Sequence, residues 1–133
     1  MNGRFGASVS HARGWVACAL VESSRPGIDI EPMVERDFAA LDKWVADDES
    51  GAPGLTHGSD AQKNFYRRWT RYEARLKAFG DGKARASHVE ITYYLGGQAA
   101  LSVCLPAQSA AHAPRAPRLW RRRSGFSSPG NLW

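Results

Sequence analysis

Between Asp60 and Phe79 the apolar residues Phe65, Trp69, Tyr72, Leu76 and Phe79 step by four, three, four and three. At 3.6 residues per turn this is one stripe along a helix, and a helix so patterned needs a surface to cover it. Ser59 or Asp60 suits the N-cap and Gly80 the C-terminal cap. At about 100° per residue, Glu73 and Lys77 fall roughly 80 to 120° from the centre of the stripe, where they can border a cleft while the stripe packs.

The surface has to come from the β-rich runs. GASVSH and WVACALVE are separated by ARG, and PGIDIEP closes at Pro32, so three strands are expected near the N-terminus. HVEITYYL and QAALSVCL flank Gly96-Gly97, a pair that tolerates the positive φ of a tight hairpin turn. Phe38, Leu41, Trp44 and Val45 predict a further amphipathic helix over 35–48, and GAPGLTHGSD a surface loop after it. The expected fold class is α+β, with a small antiparallel sheet packed on the long helix.

A chain of 133 residues suits one domain. Its net charge of +5 is unevenly placed: residues 106–133 hold five arginines and no acid, leaving 13 basic and 13 acidic residues in 1–105. The reading is therefore a folded domain over 1–105 and a disordered Pro/Arg-rich tail over 106–133. Cys18 and Cys104 lie in apolar runs without metal-ligand spacing and read as buried free thiols. No apolar run approaches the roughly 20 residues that span a bilayer, and MNGRFGASVSHARG lacks the apolar region of a signal peptide. A reducing, cytoplasmic setting is expected.

Three short stretches offer chemistry. In GIDIE, strand alternation puts Asp29 and Glu31 on one face and Ile28 and Ile30 on the other. Two neighbouring carboxylates repel unless protonated, solvated or sharing a cation such as Mg²⁺, although an isolated D-x-E is more often a solvated strand face. Glu73 and Lys77 are spaced as an ordinary helical surface pair, yet they would supply the third carboxylate that a two-ligand Mg²⁺ site lacks. In SVSHARGW, Ser10 and His11 at a strand end can donate to phosphate oxygens, and there is no acid placed to make a nucleophilic triad.

Taken in order, SVSHARGWVACAL, GIDIEP and FYRRWTRYEARLKAFG resemble the 4′-phosphopantetheinyl transferases, specifically the second half of the surfactin-type enzymes. The likeness spans residues 5–104 and matches a Ser-His strand, a G-[IV]-D-x-E strand and a W-[ST]-x-K-E-x-x-x-K helix. It implies one half of that family's pseudo-dimeric fold. It also implies transfer of phosphopantetheine from coenzyme A to a serine of an acyl or peptidyl carrier protein. By the match, Asp29, Glu31 and Glu73 would hold Mg²⁺, Ser10 and His11 would lie against the coenzyme's phosphates, and Glu73 and Lys77 would be the catalytic pair.

The chain departs from the family at Tyr72, where a lysine that touches coenzyme A phosphate is expected, and it supplies only one half of the pseudo-dimer. A homo-oligomer, in the manner of the shorter holo-acyl-carrier-protein synthases, would supply the other. The competing readings are an inactive remnant of the family and a module that binds nucleic acid or an acidic partner through the Arg-rich tail, whose mark would be steep salt dependence.

Overall fold

The computed structural model describes residues 3–41 and 58–106. In chain order the elements are β1 (Phe5–Ala12), β2 (Trp15–Glu22), β3 (Gly27–Pro32), α1 (Phe38–Leu41), α2 (Gly58–Phe79), β4 (His88–Leu95) and β5 (Ala99–Pro106). The architecture is α+β. Its strands, however, form two antiparallel sheets rather than one: the hairpin β1-β2, and a three-stranded sheet of order β3-β5-β4. Of the expected helix over 35–48, only Phe38–Leu41 forms, as α1, and residues 35–37 are not helical. Residues 42–48 lie outside the described residues, as do residues 51–57 of the expected loop over 51–60 and 107–133 of the expected tail over 106–133, while Gly58 to Asp60 belong to α2 and Pro106 ends β5. The long helix starts at Gly58, which places Asp60 in its first turn, where a carboxylate complements the helix dipole.

Gly96 and Gly97, at φ 57° and 70°, close the β4-β5 turn as their sequence predicts. On the other side of β5, β3 keeps one edge without a backbone ladder, and side chains cover it. The Ile28 N–H donates to Ser8 Oγ (3.1 Å) and the Ile30 N–H to Ser10 Oγ (3.2 Å), while the Ile28 carbonyl accepts from Lys77 Nζ (2.9 Å). Two serines thus moor the hairpin to the sheet and satisfy groups that an open edge would expose.

The strand alternation predicted for GIDIE holds. Ile28 and Ile30 enter a core with Ala17, Leu95, Ala99 and Leu101. Asp29 and Glu31 face α2, opposite Ser102 and Ala100 of β5.

The helix, by contrast, does not meet the sheet with its aromatic stripe. Tyr66, Thr70 and Ala74 are almost fully buried, and they lie roughly 100 to 180° round the helix from Phe65. Of the stripe, Phe65 alone is buried, against Phe38 and Tyr66, while Trp69, Tyr72, Leu76 and Phe79 are half-buried. The cause is steric. A Cβ on Gly27 would stand 1.8 Å from the Ala74 carbonyl oxygen, so helix and strand backbones touch where no large side chain fits. Tyr72 turns instead onto Gly82, where an added Cβ would lie 1.9 Å from its ring.

Candidate functional site

The close approach at Gly27 brings one row of α2 alongside β3. Trp69, Glu73 and Lys77 follow one another at a turn's spacing, next to Asp29 and Glu31. Asp29 is 5% exposed. Its Oδ1 accepts from Ser10 Oγ (3.0 Å) and from Lys77 Nζ (2.9 Å). Among the described residues its Oδ2 is buried with no hydrogen-bond partner, a state that costs about 1–3 kcal/mol for an ordinary polar group and more for a charged one.

Both neighbouring acids feel this charge. Burial, then Asp29, pushes the Glu73 carboxyl above the usual glutamate range, and Lys77 opposes the shift. Burial, then Asp29, likewise raises Glu31, with Glu73 adding to the rise; Arg36 and a hydrogen bond donated by the Trp69 indole oppose it. Among the described residues, Glu73 is the acid of the three without a hydrogen-bonded partner. Asp29, Glu31 and Glu73 form an acidic cluster with a buried oxygen unsatisfied, offset by Lys77 and Arg36. Their donors are all oxygen, as a hard divalent cation prefers, but they are not gathered within 4.8 Å of one another as His88, Glu90 and Cys104 are.

The structure therefore brings together Asp29, Glu31, Glu73, Lys77 and Ser10. Ser10 is buried, its hydroxyl proton goes to Asp29, and it accepts the Ile30 N–H. It orients the carboxylate rather than presenting a free hydroxyl. His11 is not part of the group. Adjacent strand residues point to opposite faces, so His11 lies exposed on the outer face of the hairpin.

A second polar cluster, which sequence reasoning missed, lies under the same helix on the β4 side. Arg75 is 2% exposed. It donates from Nε to Glu90 Oε1, from Nη2 to Glu90 Oε2 (3.0 Å) and from Nη1 to the Gly82 carbonyl (3.1 Å). His88 Nε2 lies 3.1 Å from Glu90 Oε1, and its Nδ1 accepts the Arg85 N–H (2.8 Å). Between the two clusters Thr70, Ser102 and Thr92 link their hydroxyls at 2.7 and 2.9 Å. The only legible signal was an arginine inside an apolar helix pattern.

His88, Glu90 and Cys104 hold their donor atoms within 4.8 Å of one another. Arg75 already occupies both Glu90 oxygens, and burial followed by the Glu90 charge pushes the Cys104 thiol up to about 12. With Arg75 on both Glu90 oxygens and the thiol protonated, the cluster in this form is held by Arg75 rather than by a cation. Cys104 is buried as expected, whereas Cys18 is exposed. Its apolar neighbours alternate along β2, and Cys18 falls on the outward side.

No helix among the described residues is long and apolar enough to cross a membrane. No family model matches the chain, and none of the curated proteins searched matches it either.

Proposed function

We propose that the chain is a Mg²⁺-dependent transferase that moves the phosphopantetheine group of coenzyme A onto a serine of an acyl or peptidyl carrier protein. The observation that carries this reading is the buried, unpartnered Asp29 Oδ2 beside two acids, Glu31 and Glu73, both displaced upward. The donors are all oxygen, which suits Mg²⁺, and Asp29, Glu31 and Glu73 would hold it. Bound there, Mg²⁺ supplies positive charge against the pyrophosphate oxygens.

The remaining work falls to side chains. The carrier serine Oγ attacks the phosphorus that bears pantetheine, and the bond to the bridging oxygen breaks. The electron pair leaves with adenosine 3′,5′-bisphosphate. Glu73, through an oxygen with no hydrogen-bond partner among the described residues, takes the serine proton. Lys77 spends two of its three ammonium donors on Ile28 and Asp29, and the third is free to meet the leaving phosphate. Ser10 fixes the Asp29 rotamer. Tyr72, packed on Gly82, gives no cationic contact to coenzyme phosphate. A homo-oligomer would supply the surface that the family's other half provides.

The test is mass spectrometry of an apo carrier protein incubated with the full chain, coenzyme A and Mg²⁺. The expected result is a phosphopantetheine adduct that disappears with chelator and with Glu73→Gln. Absence of an adduct across acyl and peptidyl carriers, with the wild-type fold intact, overturns the reading.

A further inference from the structure

The hairpin has two unlike faces. Inward, Ser8, Ser10 and Ala17 are buried against the sheet. Outward, the register pairs Phe5 with Glu22, Ala7 with Leu20, Val9 with Cys18 and His11 with Val16, and all eight of these side chains are exposed. Phe5 is 63% exposed, Val9 56%, Val16 74% and Leu20 66%. The face is thus an apolar strip of Phe5, Ala7, Val9, Val16, Cys18 and Leu20, with an ionisable group only at each of two opposite corners, His11 and Glu22. At about 3.4 Å per residue the strip runs roughly 20 Å from the Phe5–Glu22 pair to the His11–Val16 pair. Contiguous apolar area of that extent marks an interaction surface.

We propose that this face is covered by the same face of a second copy of the chain, in a two-fold, face-to-face stack of hairpins. The charge pattern selects this occupant. A two-fold axis lying between the faces and across the strands reverses the second hairpin, so His11 of one copy comes to the same end of the stack as Glu22 of the other. Both ends then carry an opposite-sign pair when His11 is protonated, and a hydrogen-bonding pair when it is not. The middle, around Val9, Cys18 and Leu20, is apolar on both sides and meets no unpaired charge. Isologous two-fold contacts require such self-complementarity, and sheets stacked about 10 Å apart interdigitate side chains of this size. Cys18 sits near the centre of the stack, close to its counterpart. The inference rests on the hairpin and not on the proposed transferase activity.

Sedimentation of the full chain over a range of micromolar concentrations tests it. The expected species has twice the 14.6 kDa chain mass. Val16→Glu and Leu20→Glu, on an exposed face, should each return it to the single-chain mass with an unchanged far-UV spectrum. In the wild type, Cys18 alkylation should slow as the dimer forms, and Val16→Glu should restore the rate. A monomer throughout overturns the proposal. A monomer whose Cys18 is still protected assigns the face to another part of the same chain, and a dimer indifferent to Val16→Glu and Leu20→Glu assigns association to another surface; either also overturns it. Carrier modification is read separately, so failure of the transferase reading leaves this one standing or falling on its own.

Discussion

The two polar clusters under α2 lie on opposite sides of the Thr70–Ser102–Thr92 hydroxyl chain and solve burial differently. On the β4 side the charge is compensated: Arg75 spans both oxygens of Glu90, and His88 caps the pair. The partners hold the Glu90 carboxyl below the usual range although burial alone would raise it. On the β3 side, Lys77 pairs with Asp29 and Arg36 acts on Glu31, yet an acceptor is orphaned among the described residues and two acids are pushed up. A satisfied cluster serves folding. An unsatisfied one, kept by the same helix, leaves a buried acceptor unpaired and works against folding.

The difference breaks most visibly when one charge is removed from each side. Arg75→Met takes the bidentate partner from buried Glu90, leaving His88 and the longer Arg71 contact, and should cost up to about 3–5 kcal/mol in urea unfolding. Glu73→Gln removes a repelled charge, so it should leave stability unchanged or raised without Mg²⁺. A large loss from Glu73→Gln would show that the acid side is structural as well.

Next in size is Gly27→Ala. The added methyl collides with the Ala74 carbonyl, and forcing helix from strand should cost about 1–3 kcal/mol, as overpacking does. Because that contact sets Glu73 and Lys77 against Asp29, the Mg²⁺-induced rise in Tm should disappear too. Gly82→Ala, pressed against Tyr72 on the opposite side of the helix, should lower stability while sparing the Mg²⁺ response.

The smallest effect is a pH dependence. Glu73 has a folded pKa above its ordinary 4.5, so between those two values the folded state binds more protons than the unfolded. The stability this confers is present at acid pH and lost as pH rises through that window. The Tm of Glu73→Gln relative to wild type should therefore climb from about pH 4 to about pH 7 without metal, and Mg²⁺ should close the gap at the upper end. Glu90 has the opposite sign. Its lowered pKa gives stability that is lost as pH falls below 4.5, and Glu90→Gln should remove that acid limb.

Much of the local structure was legible because it depends on periods of two and of 3.6. Alternation alone placed Asp29 and Glu31 on one face and Ile28 and Ile30 on the other. Gly96-Gly97 marked the hairpin, and Phe65 to Phe79 lay on one helix. The same periods misled about packing. The aromatic stripe identifies an apolar face but not the surface that meets it, and a glycine 47 positions from Ala74 decided that small residues, not large ones, touch the sheet. Cys18 was misplaced for a related reason: an apolar run does not say which of its two faces is inward.

The sequence by itself determined that Asp29 and Glu31 share one face of a strand and that Glu73 and Lys77 stand one turn apart on a helix, beside its aromatic stripe. Tertiary structure alone decided that Ser10 serves Asp29 while His11 faces away, that Trp69 and Lys77 hold two of the acids, and that Arg75 neutralises Glu90. Those choices depend on strand register and on how closely a helix may approach a strand. Both are set by contacts between residues far apart in the chain, where short-range spacing carries no information.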